Sequence, residues 1–436
     1  RAVEPGGLFV ALRGERFDGH DFVHQVLAAG AAAALVAADS TVARADGELP
    51  LVVVGDTRAA LRDLAAHWRR RFAIPVIAVT GSNGKTTVKE MISAILAAAF
   101  GAEGRLATPG NLNNDIGLPL TVLRLRAGHR AAVIELGMNH PGETAVLAAV
   151  ARATVALINN AQREHQEFMK TVAAVAEEHG ALIDALPAEG IAVINADDEF
   201  AAYWTALAGP RRVSAFGLEN PAEVRCEWSQ EALGSRLELH AEGRAAVVEL
   251  SIPGTHNVRN ALAAAAACLA AGVAWDAVVR GLAAFRPAKG RLQVKAGVAG
   301  ARVIDDSYNA NPDSVRAAID VLAARPGRRI LVLGDMGEVG DQAGQFHDEV
   351  GGYAKSMGIE RLFVLGEMSR AAAGNFGAGA FHFNRFEELV AALKPELDPG
   401  TTVLVKGSRF MRMERVVEAI TEAEPPAGAA EKKNAA

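Results

Sequence analysis

The sequence contains very little cysteine, and this scarcity excludes two common means of stabilising a chain. Cys226 and Cys268 are the only cysteines among 436 residues, and they lie far apart. A disulfide framework needs several cysteines, and a zinc site needs ligands at short fixed spacings. We therefore expect neither, and we expect a reducing, cytoplasmic environment.

Long apolar runs and an excess of positive charge are also missing. The most apolar run, residues 261–275, is mostly alanine and is shorter than the roughly 18 residues that suggest a membrane-spanning helix. The formal net charge is −6, whereas a nucleic-acid surface needs clustered Lys and Arg. These features predict no membrane insertion and no nucleic-acid partner. We also expect no signal peptide before the first domain.

The length and the alternation of strand and helix patterns indicate an α/β protein of three domains. Residues 1–74 read as a small α/β unit, and residues 75–292 as a central domain with a mostly parallel sheet. Residues 293–422 alternate strands and helices as in a doubly wound, Rossmann-like domain. Residues 423–436 read as a disordered tail. Alternating polarity over residues 213–250 predicts an antiparallel insert.

A phosphate-binding loop is predicted where the first central strand ends. An apolar strand runs into Thr80-Gly81-Ser82-Asn83-Gly84-Lys85-Thr86-Thr87, and a helical segment follows. Unpaired amides and the helix dipole favour an anion at such a junction. Lys85 is then expected to reach the β- and γ-phosphates, and Thr86 to bind Mg²⁺. The generic pattern has glycine where Val79 stands, so an ordinary strand-to-helix turn is the alternative interpretation.

Polar residues follow two further central strands. Glu135 ends an apolar strand, and His165 closes a polar cluster after the next one. The carboxyl ends of parallel strands face the ligand crevice, and Mg²⁺ prefers carboxylate and phosphate oxygens. Glu135 opposite Thr86 therefore predicts a divalent-cation site, with His165 as a ligand or an orienting partner. The alternatives are a helix-start glutamate and a structural histidine.

Two segments are dense in amide side chains. Residues 108–117 include Asn111 and Asn114, which suit sugar hydroxyls or amides, although Asn-rich turns also form for backbone reasons. Asn257 and Asn260 open an Ala-rich helix. They either contact a nucleotide base or cap the helix.

Taken in order, these segments resemble one family over nearly the whole chain. The phosphate loop, Glu135, His165, Gly254-Thr255-His256-Asn257, Lys289-Gly290-Arg291 and the Asp306 segment follow the order found in the Mur ligases, which are ATP-dependent amide-forming enzymes. The shortened phosphate loop is part of the family pattern. The missing first glycine therefore no longer counts against nucleotide binding.

The resemblance also implies a reaction. Residues 135–143, 305–314 and 333–338 are similar to the family members that add D-alanyl-D-alanine. These members use ATP and Mg²⁺ to join D-alanyl-D-alanine to UDP-N-acetylmuramoyl-tripeptide through an acyl phosphate, in peptidoglycan-precursor synthesis. A cytoplasmic monomer is expected, with closure of the C-terminal domain excluding water.

Residue roles follow from the motif and the resemblance together. Catalytic roles are expected for Lys85, Glu135, His165, Arg291 and Asp306. Nucleotide-binding roles are expected for Thr80, Gly81, Ser82, Asn83, Gly84, Lys85, Thr86, Thr87, Asn257, Arg291 and Asp306, and metal-binding roles for Thr86, Glu135 and His165. Substrate-binding roles are expected for Arg1, Asn111, Asn114, Tyr308, Asn309 and Asn311. Arg1 resembles the end of an Asp-Ser-Arg motif, so we expect that the sequence starts inside it.

One position departs from the family pattern. Mur ligases generally carry a carbamylated lysine that helps hold a second Mg²⁺, and His179 stands roughly in its place. We expect the second metal to be held by His165 and Glu135 with water, or by a carboxylate such as Glu178. A Mur or folylpolyglutamate-type ligase with another amine acceptor is one alternative function, and a non-catalytic nucleotide-binding relative is another.

Overall fold

A small parallel sheet forms the N-terminal part of the protein. The computed structural model describes residues 4–44, 49–231 and 234–422, so Arg1 and the predicted tail at 423–436 lie outside the described residues. The elements of this part are β1 (Leu8–Val10), α1 (Val23–Ala28), β2 (Ala33–Ala37), α2 (Thr41–Arg44), β3 (Leu51–Val54) and α3 (Thr57–Arg69). The strands pair in the order β1-β2-β3, all parallel. Asp56 caps α3 by accepting hydrogen bonds from two backbone N–H groups of its first turn.

The central sheet has six parallel strands and places three strand ends side by side. Its elements are β4 (Val76–Thr80), α4 (Lys85–Phe100), β5 (Arg105–Ala107), α5 (Gly117–Val122), β6 (Ala131–Glu135), α6 (Glu143–Ala151), β7 (Val155–Ile158), α7 (Gln166–Met169), α8 (Val172–Asp184), β8 (Ile191–Asn195), α9 (Ala201–Ala208) and β9 (Arg212–Phe216). The strand order is β5-β6-β4-β7-β8-β9. Because β4 lies between β6 and β7, the loops that follow these three strands meet at one edge.

A three-stranded antiparallel sheet follows, and two helices return to the central core. These elements are β10 (Arg225–Gln230), β11 (Ser235–Ala241), β12 (Arg244–Leu250), α10 (Thr255–Ala270) and α11 (Trp275–Ala284). The predicted antiparallel insert was placed too early, because the strand at Arg212–Phe216 joins the central sheet in parallel. Its short alternating pattern did not reveal to which sheet it belongs.

The C-terminal part is a doubly wound sheet with one antiparallel edge strand. It contains β13 (Gln293–Ala296), β14 (Arg302–Asp306), α12 (Pro312–Ala323), β15 (Arg328–Gly334), α13 (Ala343–Ser356), β16 (Arg361–Leu365), α14 (Arg370–Phe376), β17 (Ala380–Phe383), α15 (Phe386–Leu393), β18 (Thr401–Lys406) and α16 (Glu414–Ile420). The order is β13-β14-β18-β15-β16-β17, and β13 alone in this sheet pairs antiparallel. The predicted three-domain α/β fold is confirmed.

Apolar packing joins the domains. Trp68 of α3 donates a hydrogen bond to the Leu125 carbonyl, 3.1 Å away, so this helix packs on the central domain. A second connection lies at the start of α10, where a Cβ atom on Gly254 would lie 2.7 Å from Cγ2 of Val321 in α12, and Val258 and Val321 belong to one continuous core. Within the described ranges, no helix is both long and apolar enough to cross a bilayer.

Candidate active site

A cavity of about 1030 Å³ lies between the central and C-terminal domains. The loops after β4, β6 and β7 form one wall, and the segments after β14 and β18 form the other. The predicted site residues in its lining are Ser82, Asn83, Gly84, Lys85, Thr86, Asn111, Asn114, Glu135, His165, Arg291, Tyr308, Asn309 and Asn311. The structure thus brings together residues from six separate stretches of sequence.

The phosphate loop has the backbone that its glycines predict. Gly84 has a φ of 84° and immediately precedes α4. A Cβ atom at Gly84 would lie 2.4 Å from Oδ1 of Asn260 and 2.7 Å from Nδ2 of Asn159. Because both contacts are far shorter than a van der Waals distance, only glycine fits at the start of this helix.

Buried amides hold the loop from behind. Asn159 donates to the Asn83 carbonyl at 2.8 Å and to Oδ1 of Asn260 at 2.9 Å. Asn260 in turn donates to Oδ1 of Asn257 at 3.0 Å. Asn257, predicted to contact the nucleotide, is 2% exposed and is not part of the cavity lining. The structure therefore places Asn257 in the support of the loop.

Glu135 lies next to Thr86, as the sequence predicts. Its Oε1 accepts hydrogen bonds from Thr86 Oγ1 at 3.2 Å and from Asn113 Nδ2 at 2.8 Å. Its Oε2 is buried and has no hydrogen-bond partner in the described part of the chain. A buried carboxylate oxygen that has no hydrogen-bond partner and lies beside a hydroxyl is a suitable ligand for a hard divalent cation.

The carboxylate of Glu164 lines the cavity next to Lys85. Its Oε2 lies 3.2 Å from Lys85 Nζ, and its Oε1 lies 3.0 Å from His179 Nε2. Burial raises the pKa of Glu164, but the Lys85 charge and the His179 hydrogen bond outweigh burial and hold this pKa at about 2. The group is therefore an anion at neutral pH.

His165 connects the two walls of the cavity. Its Nδ1 lies 2.6 Å from Oε2 of Glu338, which belongs to the C-terminal domain. The close approach of His165 lowers the pKa of Glu338, against the effect of burial. The other ring nitrogen of His165, Nε2, lies 3.7 Å from Glu164 Oε2. Within the described residues, no group of three His, Cys, Asp or Glu side chains is placed to hold a metal by itself.

Glu178 does not face this site, contrary to the sequence-based alternative for the second metal. Its two carboxylate oxygens accept hydrogen bonds from the backbone N–H groups of Gly142 at 2.8 Å and Thr144 at 2.7 Å. Glu178 therefore caps the start of α6, where a negative charge is favoured by the helix dipole.

The C-terminal wall supplies positive charge. Arg291 lies 3.4 Å from Thr86 Oγ1 and stacks on the Tyr308 ring, 4.1 Å from its centroid. Asp306 is not in the cavity lining, and its Oδ2 accepts a hydrogen bond from Lys406 at 2.6 Å. Lys406 does line the cavity, and burial lowers its pKa even beside Asp306.

Three more predicted nucleotide-binding residues fall outside the cavity lining, and one predicted substrate-binding residue in the lining already has a local hydrogen-bond partner. Thr80, Gly81 and Thr87 lie in or beside the loop but do not line the cavity. Arg1 lies outside the described residues. Asn114 lines the cavity, but its Oδ1 accepts the backbone N–H of Gly117 at 2.8 Å and so caps α5.

Lys406 and Glu164 are cavity residues that sequence reasoning missed. Lys406 is paired in register with Asp306 on the neighbouring strand, so the argument that found Glu135 at a strand end also applied to Lys406. Glu164 directly precedes His165 in the same polar cluster. No signal in the sequence showed which of these neighbours faces the cavity.

Three family models together match most of the chain. The model described as the Mur ligase family catalytic domain matches residues 1–69. The Mur ligase middle domain matches residues 79–268. The Mur ligase glutamate ligase domain matches residues 290–409.

Individual proteins extend this similarity over almost the full length. The UDP-N-acetylmuramoyl-tripeptide–D-alanyl-D-alanine ligase of Escherichia coli (strain K12) is 42% identical over 429 residues, covering 97% of this chain and 92% of that protein. A crystal structure of MurF from Acinetobacter baumannii matches with a TM-score of 0.89 and 35% identity, covering 95% of this chain and 90% of that one. MurF from Thermotoga maritima in complex with ADP matches with a TM-score of 0.84 and 28% identity, covering 96% and 94% of the two chains.

The fold, the cavity and these similarities define an ATP-dependent ligase, and the chain belongs to the Mur ligase family. Within that family it is of the MurF type, because its curated and structural relatives of that type match along nearly its whole length.

Proposed function

We propose that the protein joins the amine of D-alanyl-D-alanine to the terminal carboxylate of UDP-N-acetylmuramoyl-tripeptide, with conversion of ATP to ADP and phosphate. The similar protein of E. coli is named for this ligation and is 42% identical over 429 residues. The observation that carries the proposal is the cavity itself. Its phosphate loop and its C-terminal cations lie on facing walls.

The first step brings two anions together. An oxygen of the tripeptide carboxylate attacks the γ-phosphorus of ATP, the bond from that phosphorus to the β,γ-bridging oxygen breaks, and ADP leaves. Repulsion between the carboxylate and the phosphates opposes this step, so fixed positive charge stabilises the transition state. Lys85, Arg291 and Lys406 line the cavity where that charge is needed.

The second step forms the amide. The neutral amine of D-alanyl-D-alanine attacks the carbonyl carbon of the acyl phosphate, phosphate leaves with the bonding electron pair, and the proton lost by the nitrogen passes to the departing phosphate. Water competes with the amine for the same carbon. Contacts between the two walls, such as His165 with Glu338, support a reaction space that is shielded from water.

Mg²⁺ belongs to the proposal as a cofactor. Thr86 and Glu135 would hold it, because the second oxygen of Glu135 is buried and has no hydrogen-bond partner among the described residues. When bound, the ion supplies Lewis-acid stabilisation of phosphate charge. Asn111 and Tyr308 line the same cavity and are proposed contacts for the substrates.

The test is phosphate release that depends on both substrates. We expect release only when ATP, UDP-N-acetylmuramoyl-tripeptide and D-alanyl-D-alanine are all present. Lys85→Ala should reduce it by about a thousandfold, because the fixed charge facing the phosphates is lost. Lys394→Ala removes an exposed lysine of the C-terminal domain and should leave the rate unchanged.

A panel of amine acceptors separates the alternatives. Faster turnover with diaminopimelate, lysine or glutamate would assign the chain to another amide ligase. Nucleotide binding without phosphate release under any condition would show a non-catalytic relative.

A further inference from the structure

A buried chain of three side chains ends at the phosphate loop. Thr80 Oγ1 lies 3.0 Å from His179 Nδ1, and His179 Nε2 lies 3.0 Å from Glu164 Oε1. His179 and Thr80 are both 0% exposed, and Glu164 is 5% exposed. Only Glu164 of the three reaches the cavity.

The hydrogen-bond direction at the carboxylate end of this chain is fixed by chemistry. An ionised carboxylate can only accept, so the proton lies on His179 Nε2. The Thr80 hydroxyl can donate or accept, so it satisfies Nδ1 at the other side of the ring. The two contacts hold the imidazole in one orientation, and the imidazole fixes one oxygen of Glu164. The other oxygen faces Lys85.

Charge balance shows what Glu164 needs when a nucleotide is present. Lys85 Nζ also donates to the carbonyls of Gly81 and Ser82 in its own loop. A triphosphate in the same cradle competes for that single ammonium group. Two buried carboxylates, Glu135 and Glu164, would then face the phosphates, and repulsion between these anions requires additional cations between them.

We propose that Glu164, positioned by His179, is a second carboxylate of the nucleotide site and binds a divalent cation together with the phosphates. The proposal rests on the proposed ATP-dependent function and adds residues to its metal site. Mg²⁺ is commonly held by one or two carboxylates plus phosphate oxygens and water. Carboxylates that bind metals are themselves hydrogen-bonded by surrounding residues, and His179 supplies that bond.

The decisive experiment measures metal binding directly. Mn²⁺ is titrated by electron paramagnetic resonance into the whole protein saturated with a non-hydrolysable ATP analogue. We expect Glu164→Gln to weaken Mn²⁺ binding at least tenfold or to remove one bound ion. His179→Gln should weaken it about tenfold, as losses of supporting hydrogen bonds do. Glu177→Gln removes an exposed carboxylate from the same helix as His179 and should change nothing.

The same titration can overturn the proposal. Unchanged Mn²⁺ stoichiometry and affinity in Glu164→Gln would show that Glu164 serves only as the partner of Lys85. In that case the affinity for the metal-free analogue should change instead. Glu164→Gln is isosteric, so it decides the matter even where His179→Gln fails to fold.

The outcome is also separable from that of the proposed reaction. If Mn²⁺ binding depends on Glu164 but another amine acceptor is used, the metal-site proposal holds and the proposed amine specificity is wrong. If the expected product is made but Glu164→Gln leaves the Mn²⁺ titration unchanged, only the metal-site proposal is wrong.

Discussion

At the scale of single residues, two glycines precede helices with nearly the same backbone and differ in their surroundings. Gly84 precedes α4 with φ 84° and ψ −8°, and Gly142 precedes α6 with φ 89° and ψ −10°. A side chain at Gly84 would collide with Asn260 and Asn159, whereas nothing lies within 4 Å of a Cβ at Gly142. The pair separates backbone strain from a steric collision in the phosphate loop.

We expect Gly84→Ala to lose much more stability than Gly142→Ala. Both substitutions place alanine at positive φ, which costs roughly 1 kcal/mol. Gly84→Ala must also displace the amides that hold the loop, which should add about 1–3 kcal/mol and lower ATP affinity at least tenfold. Urea denaturation and a fluorescent-nucleotide titration measure the two effects. Equal losses of stability and unchanged nucleotide binding in the two variants would contradict the structure.

Single residues also show what the sequence could predict. Lys85 and Thr86 were predicted to lie at the cavity because a strand, a glycine turn and a helix start are local features. The structure places both in its lining. Asn257 and Asp306 follow equally clear signals, yet they lie behind the lining, where they bind Asn260 and Lys406. Which of several polar neighbours faces a cavity depends on packing between distant segments.

At the scale of elements, the start of α10 lies against the C-terminal domain and carries a half-buried histidine, His256. Asn257 Nδ2 lies 3.0 Å from His256 Nε2, and this bond uses the unprotonated nitrogen. Burial lowers the pKa of His256 to about 4, aided by the charges of Lys406 and Arg259 and opposed by Asp320. Lys406 and Asp320 both belong to the C-terminal domain.

The histidine makes stability depend on pH. The unfolded chain binds a proton at His256 below about pH 6.5, whereas the folded chain binds it only near pH 4. The unfolded state therefore gains protons first, and stability falls as the pH falls from 6.5 to 4. We expect His256→Gln to lose less stability than the unchanged chain over this window, by at most about 3 kcal/mol. Urea denaturation at steps of pH measures the difference.

A second histidine provides the control for this prediction. His67 is exposed on α3, and His67→Gln should leave the pH dependence as it is. If the free energy of unfolding changes in parallel for the unchanged chain and His256→Gln between pH 6.5 and 4, then His256 binds its proton equally in the folded and unfolded states.

Elements were predictable where apolar runs are bounded by turns. β4, β6 and β7 are buried along their whole length, and helices cover both faces, so their continuous apolar runs identify them. The strand at Arg212–Phe216 has an exposed end and mixed burial. Its pattern therefore resembled that of the antiparallel strands that follow it.

At the scale of the whole molecule, Arg163 connects two domains. Its backbone N–H and guanidinium donate to Asp313, with the shortest bond 2.6 Å, and the guanidinium also donates to Glu349 at 2.8 Å. It lies 5.4 Å from the Phe346 ring centroid. All three partners belong to the C-terminal domain. Arg163 therefore fixes that domain against the phosphate-loop side of the cavity.

These contacts were beyond the reach of the sequence. Arg163 and Glu349 are separated by 186 positions, and each occurs in a stretch whose local pattern gives no partner. The resemblance implied that the C-terminal domain meets the nucleotide site. It did not imply which ion pairs would hold the two together, because such pairs depend on the angle between domains.

The whole-molecule prediction is that Arg163→Gln favours an open arrangement of the domains. The variant loses bidentate, charge-assisted bonds that contribute roughly 1–3 kcal/mol, and partial exposure reduces this toward the lower value. Arg316→Gln is the matched control, since Arg316 donates to the same Glu349 at 2.8 Å from within the C-terminal domain. Small-angle X-ray scattering should show a larger radius of gyration for Arg163→Gln alone, together with a higher KM for ATP. Equal radii in both variants would mean that apolar packing between α10 and α12 holds the domains together without Arg163.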